Sequence, residues 1–202
     1  MREADFKNLT GWVDIDRPLL ATLSKSQEIR YFRARIKRTV IAPLRRMVAG
    51  IRQGTKAENP LLCFGTCLCC AIEALGKFQT GKLPRGNSGS NFRAFVQTYM
   101  DPRWNTEQFA GRAYVDHLWN AFRNGLAHGF VVKQGGFALG RTYFRIHSTA
   151  GVSQLEICPS RLLSDFTRGI SGFVKRLSSS PRTSLDYKHF HAAFDGLYIQ
   201  GL

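Results

Sequence analysis

A short stretch near the middle of the chain, NAFRNGLAHGF (120–130), contains three side chains whose types suit phosphate chemistry. Arg123 and Asn124 are adjacent, and His128 follows four residues after Asn124. An imidazole titrates near neutral pH, so it can accept or donate a proton during catalysis. A guanidinium offers a planar fork of donors to phosphate oxygens, and an amide can orient the phosphate or the imidazole. We therefore take Arg123, Asn124 and His128 as the candidate catalytic residues.

Such a set is compatible with cleavage of RNA by its own 2′-hydroxyl. That hydroxyl attacks the adjacent phosphate and leaves a cyclic phosphate and a free 5′-hydroxyl, with no requirement for a metal ion or another cofactor. DNA lacks the hydroxyl and would be spared. A purely structural interpretation stays open, in which Arg123 pairs with Asp116 on the same helix face and His128 caps the helix C-terminus.

The element that must position these side chains is a helix, predicted to run from Thr106 as its N-cap to Gly129 as its C-terminal stop. On a helical wheel its apolar face is formed by Val115, Leu118, Trp119, Phe122 and Leu126. Its polar face is formed by Asp116, His117, Asn120, Arg123, Asn124 and His128. Three further residues are candidates for supporting the motif: His117 and Asn120 on this polar face, and Glu73, the acid of an otherwise apolar segment.

The rest of the chain shows mostly helical periodicity. Apolar residues recur every three or four positions from Gln27 to Arg52, which predicts a helix that Pro43 kinks or divides. A segment that is apolar nearly all round predicts a central helix from Asn59 to Phe78. Further helices are predicted over Asn91–Tyr99 and from Pro159 to about Leu177. Short strands are predicted in FVVK, RTYFRIHS and VSQLEIC, separated by Gly135–Gly136 and Ala150–Gly151.

These elements predict a mainly α fold within a single domain over 1–202. The architecture is a helical bundle with a small β-hairpin or sheet inserted at 130–158, directly after the motif helix. An irregular N-terminal segment occupies 1–25. An aromatic C-terminal tail at 178–202 is expected to pack back on the bundle.

Cysteine usage and hydropathy favour a location in the reducing cytoplasm. Five cysteines are present, and four are crowded at positions 63, 67, 69 and 70, which is a poor disulfide framework. Cys63, Cys67 and Cys70 share one helical face, so we predict thiols buried in a core helix and no metal site. The N-terminal MREADFKNLT lacks the features of a signal peptide. The longest apolar run, Leu61–Ile72, is too short to span a bilayer, so no membrane association is expected.

The charge balance points to a polyanionic partner. The chain contains 29 basic and 14 acidic residues, giving a net charge of +15. The predicted first helix carries seven cations within 17 residues, and the six that form the candidate contact surface are Arg30, Arg33, Lys37, Arg38, Arg45 and Arg46. We interpret them as an RNA-binding surface, because no motif that reads a duplex groove is apparent. A merely solvated helix face is the alternative.

The string FRNGLAHGF (122–130) resembles the R-x4-6-H signature of the HEPN superfamily, including the asparagine directly after the arginine. The resemblance covers about six motif residues and the helical context around them. It implies a helical-bundle domain that acts as a metal-independent endoribonuclease in a toxin–antitoxin, abortive-infection or CRISPR setting. It also implies an active site formed across a homodimer, and an antitoxin or other regulatory partner.

Two other function classes stay open beside the nuclease. One is a non-catalytic HEPN module that binds nucleic acid or has a regulatory role. The other is a scaffold protein with no nucleic-acid role. The strands predicted after Gly129 depart from the minimal HEPN bundle.

Overall fold

The computed structural model describes residues 17–52, 60–83, 86–125, 135–149 and 151–200. This part of the chain is mainly helical, with one two-stranded and one three-stranded sheet. Of the predicted irregular segment 1–25, only 17–25 is described, and Arg17–Ala21 forms a short helix, α1. The expectation of irregular structure is wrong for that turn, whose Leu20 is buried in the core.

The predicted first helix is confirmed, with an interruption at the proline. Helix α2 (Lys25–Ile36) continues through a π-helical segment, π1 (Lys37–Ile41), into α3 (Ala42–Arg52). Pro43 has no backbone N–H, so in a regular α-helix it would leave the Thr39 carbonyl without its partner and clash with it. The wider π turn precedes this proline and lets the helix continue.

The predicted central helix is α4 (Pro60–Thr80), which packs against α3, against α5 (Ser88–Tyr99) and against a C-terminal helix, α9 (Leu185–Phe194). Its contact with α5 is close, because a Cβ added at Gly76 would lie 1.9 Å from the carbonyl oxygen of Asn91. By length and composition, Leu61–Thr80 is long enough to cross a bilayer, contrary to the expectation drawn from the shorter apolar run. Half of that window is buried inside the protein, where the helix packs against α3, α5 and α9.

A β-hairpin separates α5 from the motif helix, and the predicted N-cap at Thr106 is wrong. Thr106 ends a short helix, α6 (Arg103–Thr106). Strands β1 (Gln108–Phe109) and β2 (Arg112–Ala113) follow, joined by Ala110 and Gly111 at φ 49° and 73°. Two positive φ angles in a two-residue loop are typical of a tight hairpin turn. The motif helix therefore begins at Tyr114, as α7 (Tyr114–His117).

The second sheet contains β3 (Gly135–Phe137), β4 (Phe144–Thr149) and β5 (Val152–Ile157). Strands β4 and β5 form an antiparallel pair, and β3 pairs in parallel with the other edge of β5. The strands predicted in RTYFRIHS and VSQLEIC are confirmed. Gly135–Gly136, predicted as a separator, lies within β3, and FVVK (130–133) lies outside the described residues.

The C-terminal part is helical and packs back as predicted. Helix α8 (Pro159–Ser179) is followed by α9 and a π-helical segment, π3 (Asp195–Gln200), with Phe190 and Phe194 fully buried. The buried Asp165 carboxylate on α8 accepts hydrogen bonds from Trp104 Nε1 at 3.0 Å and Tyr143 OH at 2.8 Å. This carboxylate thereby connects the β4 side of the sheet to the helical body.

Candidate functional site

The first turn of the motif helix, Tyr114–His117, is α-helical. After α7 the chain forms a second π-helical segment, π2 (Leu118–Asn124), which contains Arg123 and Asn124. The described part of this helix ends at Gly125, so His128 and the predicted stop at Gly129 lie outside the described residues. The structure therefore positions two of the three candidate catalytic side chains.

Arg123 is held by Glu73 of the central helix. Its Nε and Nη2 both donate to Glu73 Oε2, at 3.2 and 2.9 Å. Its Nη1 points to Asn124 Oδ1 at 3.5 Å. The Glu73 side chain is 11% exposed and that of Arg123 is 20% exposed, so the pair lies at the edge of the core with the guanidinium on the solvent side. Glu73 thus occupies the orienting position that the sequence suggested.

Two neighbours of this ion pair were missed as site residues. Lys77 Nζ lies 4.0 Å from the other carboxylate oxygen, Glu73 Oε1. The half-buried Trp119, predicted as a core residue, lies with its ring centroid 5.0 Å from the Arg123 guanidinium carbon. Helical spacing could have indicated both residues, because each is four positions from a member of the pair.

The alternative pairing of Arg123 with Asp116 is wrong. Asp116 Oδ1 accepts a hydrogen bond from Arg93 Nε of α5 at 2.8 Å. The Arg93 guanidinium carbon also lies 5.9 Å from the centroid of the Trp119 ring. The indole therefore has two arginines beside it, each anchored by a carboxylate from a different element.

The polar-face placement of His117 is also wrong. His117 is buried, and its Nε2 lies 2.6 Å from the Phe109 carbonyl oxygen, with its ring 5.0 Å from the Phe109 ring. The β1–β2 hairpin covers the first turn of the motif helix, which the helical wheel could not show. Asn120 is exposed, and within the described segments no hydrogen bond joins it to Arg123.

The predicted basic surface is exposed along α2, π1 and α3. Its members are Arg30, Arg33, Lys37, Arg38, Arg45 and Arg46. A π turn contains about one extra residue, which rotates α3 by roughly 100° relative to α2. This rotation brings Arg45 into line with Arg33 and Lys37, so the three cations follow one side of the helix. The buried Ile41 lies between Lys37 and Arg45, so the row has a gap there, and its exposed cations can still contact the phosphates of a nucleic acid.

The expectation that Cys63, Cys67 and Cys70 are buried is wrong. Cys69 and Cys158 are buried, whereas Cys63, Cys67 and Cys70 are exposed on the outer side of α4. Partial burial still raises the pKa of the Cys67 and Cys70 thiols. Across the described ranges, no group of three histidine, cysteine or acidic side chains is placed to hold a metal ion.

No family model, no curated protein and no solved structure matches this chain.

Proposed function

We propose that this chain is a metal-independent endoribonuclease in which Arg123, Asn124 and His128 act together on a ribose-phosphate linkage. The observation that carries the proposal is the orientation of Arg123. Glu73 engages its Nε and Nη2, and the remaining Nη1 lies beside Asn124 on the outer side of the pair. A guanidinium held in this way loses little side-chain entropy when it meets a phosphate.

The proposed reaction uses one proton acceptor and one proton donor. The 2′-oxygen attacks the phosphorus while its proton passes to a base, and the bond between phosphorus and the 5′-oxygen breaks as that oxygen gains a proton. His128 serves as the base or the acid. The Arg123 guanidinium stabilises the charge that develops on the phosphate oxygens, and Asn124 orients the phosphate.

A two-fold dimer fits the spacing of the motif. Arg123 and His128 are five residues apart, which on a regular helix separates their directions by roughly 140°. A second copy would place the motif of one subunit opposite that of the other, so that one cleft receives both types of side chain. The proposed toxin or defence setting, with an antitoxin or regulatory partner, rests on the HEPN resemblance alone. The proposed cytoplasmic location rests on cysteine usage and hydropathy.

A non-catalytic RNA-binding module is the second candidate function. It is favoured by the row of exposed cations on α2 to α3 and by the structural ties of Arg123 to Glu73 and Trp119. A guanidinium that already has a carboxylate and an indole as partners has a stabilising role without any substrate. The two candidates differ in the role of His128, which transfers a proton in the nuclease and has no catalytic role in the binding module.

The deciding experiment follows cleavage and binding of a labelled single-stranded RNA in EDTA. Wild type, His128→Ala and Arg123→Lys are compared, with Lys188→Ala as a control that removes one exposed charge elsewhere. Cleavage by wild type should give a cyclic phosphate end, and a single 2′-deoxy substitution should protect its own linkage. The His128→Ala variant should lose at least ~100-fold in rate while keeping its affinity for the RNA.

Two outcomes would reject the nuclease. One is an intact RNA after incubation with pure wild-type protein; the other is a His128→Ala variant that cleaves at the wild-type rate. Retained, salt-sensitive binding without cleavage would then establish the RNA-binding module. A protein that fails to bind RNA at all would exclude both.

A further inference from the structure

An apolar groove runs between α3 with its preceding π turn and the central helix α4. It has a volume of about 460 Å³. The lining residues are Thr39, Val40, Pro43, Leu44, Met47, Cys67, Cys70 and Ala71. From Thr39 to Met47 the lining spans roughly 12 Å along the helix axis, which is about two helical turns. Leu44 belongs to the buried core, and Val40, Met47 and Ala71 pack against that core with part of their side chains still open to the groove.

The composition of the groove is unusual for a surface that faces water. Cysteine is among the most frequently buried residue types, yet Cys67 and Cys70 are exposed here beside Val40 and Met47. Contiguous apolar surface bordered by polar groups is typical of a binding site for another molecule. The apolar side chains line a depression and do not project from a convex face, so the shape suits an inserted segment better than a flat bilayer.

The border of the groove has a net positive charge, with Arg46 on one side and, on the other, Arg123 and Lys77 around the single acid Glu73. Arg46 is exposed on α3 between the lining positions Pro43 and Met47. On the α4 side, the Arg123 guanidinium lies close enough to Cys70 to lower the pKa of its thiol, against the larger effect of burial and the smaller, raising effect of Glu73. Lys77 lies two turns beyond Cys70 on the same helix.

These features together select the class of occupant. RNA would match the cations but not the apolar floor. A second copy of a chain with a net charge of +15 would bring cations against cations. We propose that the groove binds an acidic amphipathic helix of a partner protein, with apolar side chains spaced by three or four residues on the floor and carboxylates beside Arg46 and Lys77.

The probe for this proposal is a synthetic helical peptide of about 18 residues with a leucine stripe and glutamates elsewhere, labelled for fluorescence anisotropy. Two matched peptides replace the glutamates by lysines or the leucines by glutamines. The glutamate peptide should bind saturably and the other two should not. Because the measurement needs no RNA, its failure is separate from failure of the nuclease proposal.

Protein variants test whether the peptide binds in the groove. Met47→Gln on the floor and Arg46→Glu on the border should each weaken binding about fivefold or more. Leu139→Gln and Arg141→Glu make the same kinds of change at exposed positions next to the small sheet and should have no effect. The bound peptide should also protect Cys67 and Cys70 from alkylation more than Cys63, which lies outside the groove lining.

Several results would overturn the proposal. One is a lysine peptide that binds as tightly as the glutamate peptide. Another is a glutamate peptide that binds without protecting Cys67 and Cys70 from alkylation. Protection of the same thiols by anionic lipid vesicles, or by raising the protein concentration alone, would assign the groove to a membrane surface or to a second copy. Either assignment would replace the acidic helix as its occupant.

Discussion

Arg123 and Glu73, fifty positions apart in the sequence, form an ion pair in which two guanidinium N–H groups share one carboxylate oxygen at 3.2 and 2.9 Å. The pair joins the motif segment π2 to the central helix α4. Because both side chains are mostly shielded from water, removal of one partner leaves the other poorly compensated: Arg123 would lose its carboxylate, and Glu73 would keep only the more distant Lys77. The same contact therefore has a structural role and, in the proposed nuclease, sets the direction of the arginine.

Substitution of Arg123 alone should be more harmful to stability than substitution of the pair. Arg123→Leu is expected to lower the free energy of unfolding by roughly 2 kcal/mol, because the shielded Glu73 carboxylate loses both hydrogen bonds and keeps only Lys77, at 4.0 Å, as a counter-charge. The double variant with Glu73→Leu should recover a large part of that loss. Urea unfolding of both single variants and the double variant measures the coupling. Additive effects would show that the ion pair contributes little.

The row of cations on the first helix should determine how RNA affinity depends on salt. The triple variant Arg33→Gln, Lys37→Gln and Arg45→Gln should reduce the slope of log affinity against log salt by roughly 2, since each lost phosphate contact on a single strand removes about 0.7. Removing three exposed cations elsewhere, at Arg161, Lys175 and Lys188, is the matched control. Equal slopes for the two triple variants would mean that the row is only a solvated face.

The close contact of α4 with α5 should make Gly76 intolerant of any side chain. Gly76→Ala would place a Cβ 1.9 Å from the Asn91 carbonyl oxygen, so the two helices must separate. We expect a loss of roughly 3 kcal/mol in unfolding free energy. Gly172→Ala on α8 is the control, because its Cβ would lie 3.5 Å from Tyr99 Cδ1, an ordinary contact. That variant should gain about 0.5–1 kcal/mol in helix propensity.

The buried Glu28 should make stability depend on pH near the acid end of the range. Burial raises the pKa of Glu28 above 4.5, although the Tyr187 hydroxyl donates to its carboxylate at 2.7 Å and His191 and Arg182 also act to lower it. A raised pKa means that the folded state favours the protonated acid. The associated stability is present below about pH 4.5 and is lost as pH rises through the higher, folded-state pKa.

The comparison that isolates this effect is wild type against Glu28→Gln, which cannot ionise at that position. The unfolding free energy of wild type minus that of the variant should fall from about pH 4 to about pH 7. Tyr187→Phe removes one of the groups that lower the pKa, so in that background the fall should occur at higher pH. A difference that is flat across this range would show that burial does not shift the titration.

Regular periodicity was sufficient to predict most helices, and Pro43 marked the interruption of the first one, but neither signal could predict the hairpin before the motif helix or the π-helical segment π2 within it. The apolar stripe of α2 to α3, the all-round apolar α4 and the Pro159 start of α8 each have a local cause in the sequence. The hairpin at Ala110–Gly111 has only one glycine as a signal, and without it the motif helix was extended back to Thr106. That error also put His117 on the wrong face, since the hairpin that covers it is tertiary structure.

The residues of the candidate site also divide into those that the sequence could predict and those that it could not. Glu73 could be singled out because an acid in an apolar helix needs a partner, and Arg123 is that partner in the structure. Exposure of Cys63, Cys67 and Cys70 could not be predicted, because it depends on how far α3 covers the outer side of α4. The partnership of Asp116 with Arg93 was equally inaccessible, since it joins residues that are separated by the α5-to-α7 connection.

The three π-helical segments π1, π2 and π3 have a consequence for how this protein can vary in length. In π2 and π3 the bulge accommodates one surplus residue without ending the helix, so a deletion of one amino acid there would restore regular α geometry, whereas in π1 the wider turn also accommodates Pro43. In homologues, alignment gaps of a single position should therefore cluster at π2 and π3. Within π2 such a gap would turn the arginine–asparagine pair away from its glutamate, and sequences bearing it should have lost that acid as well.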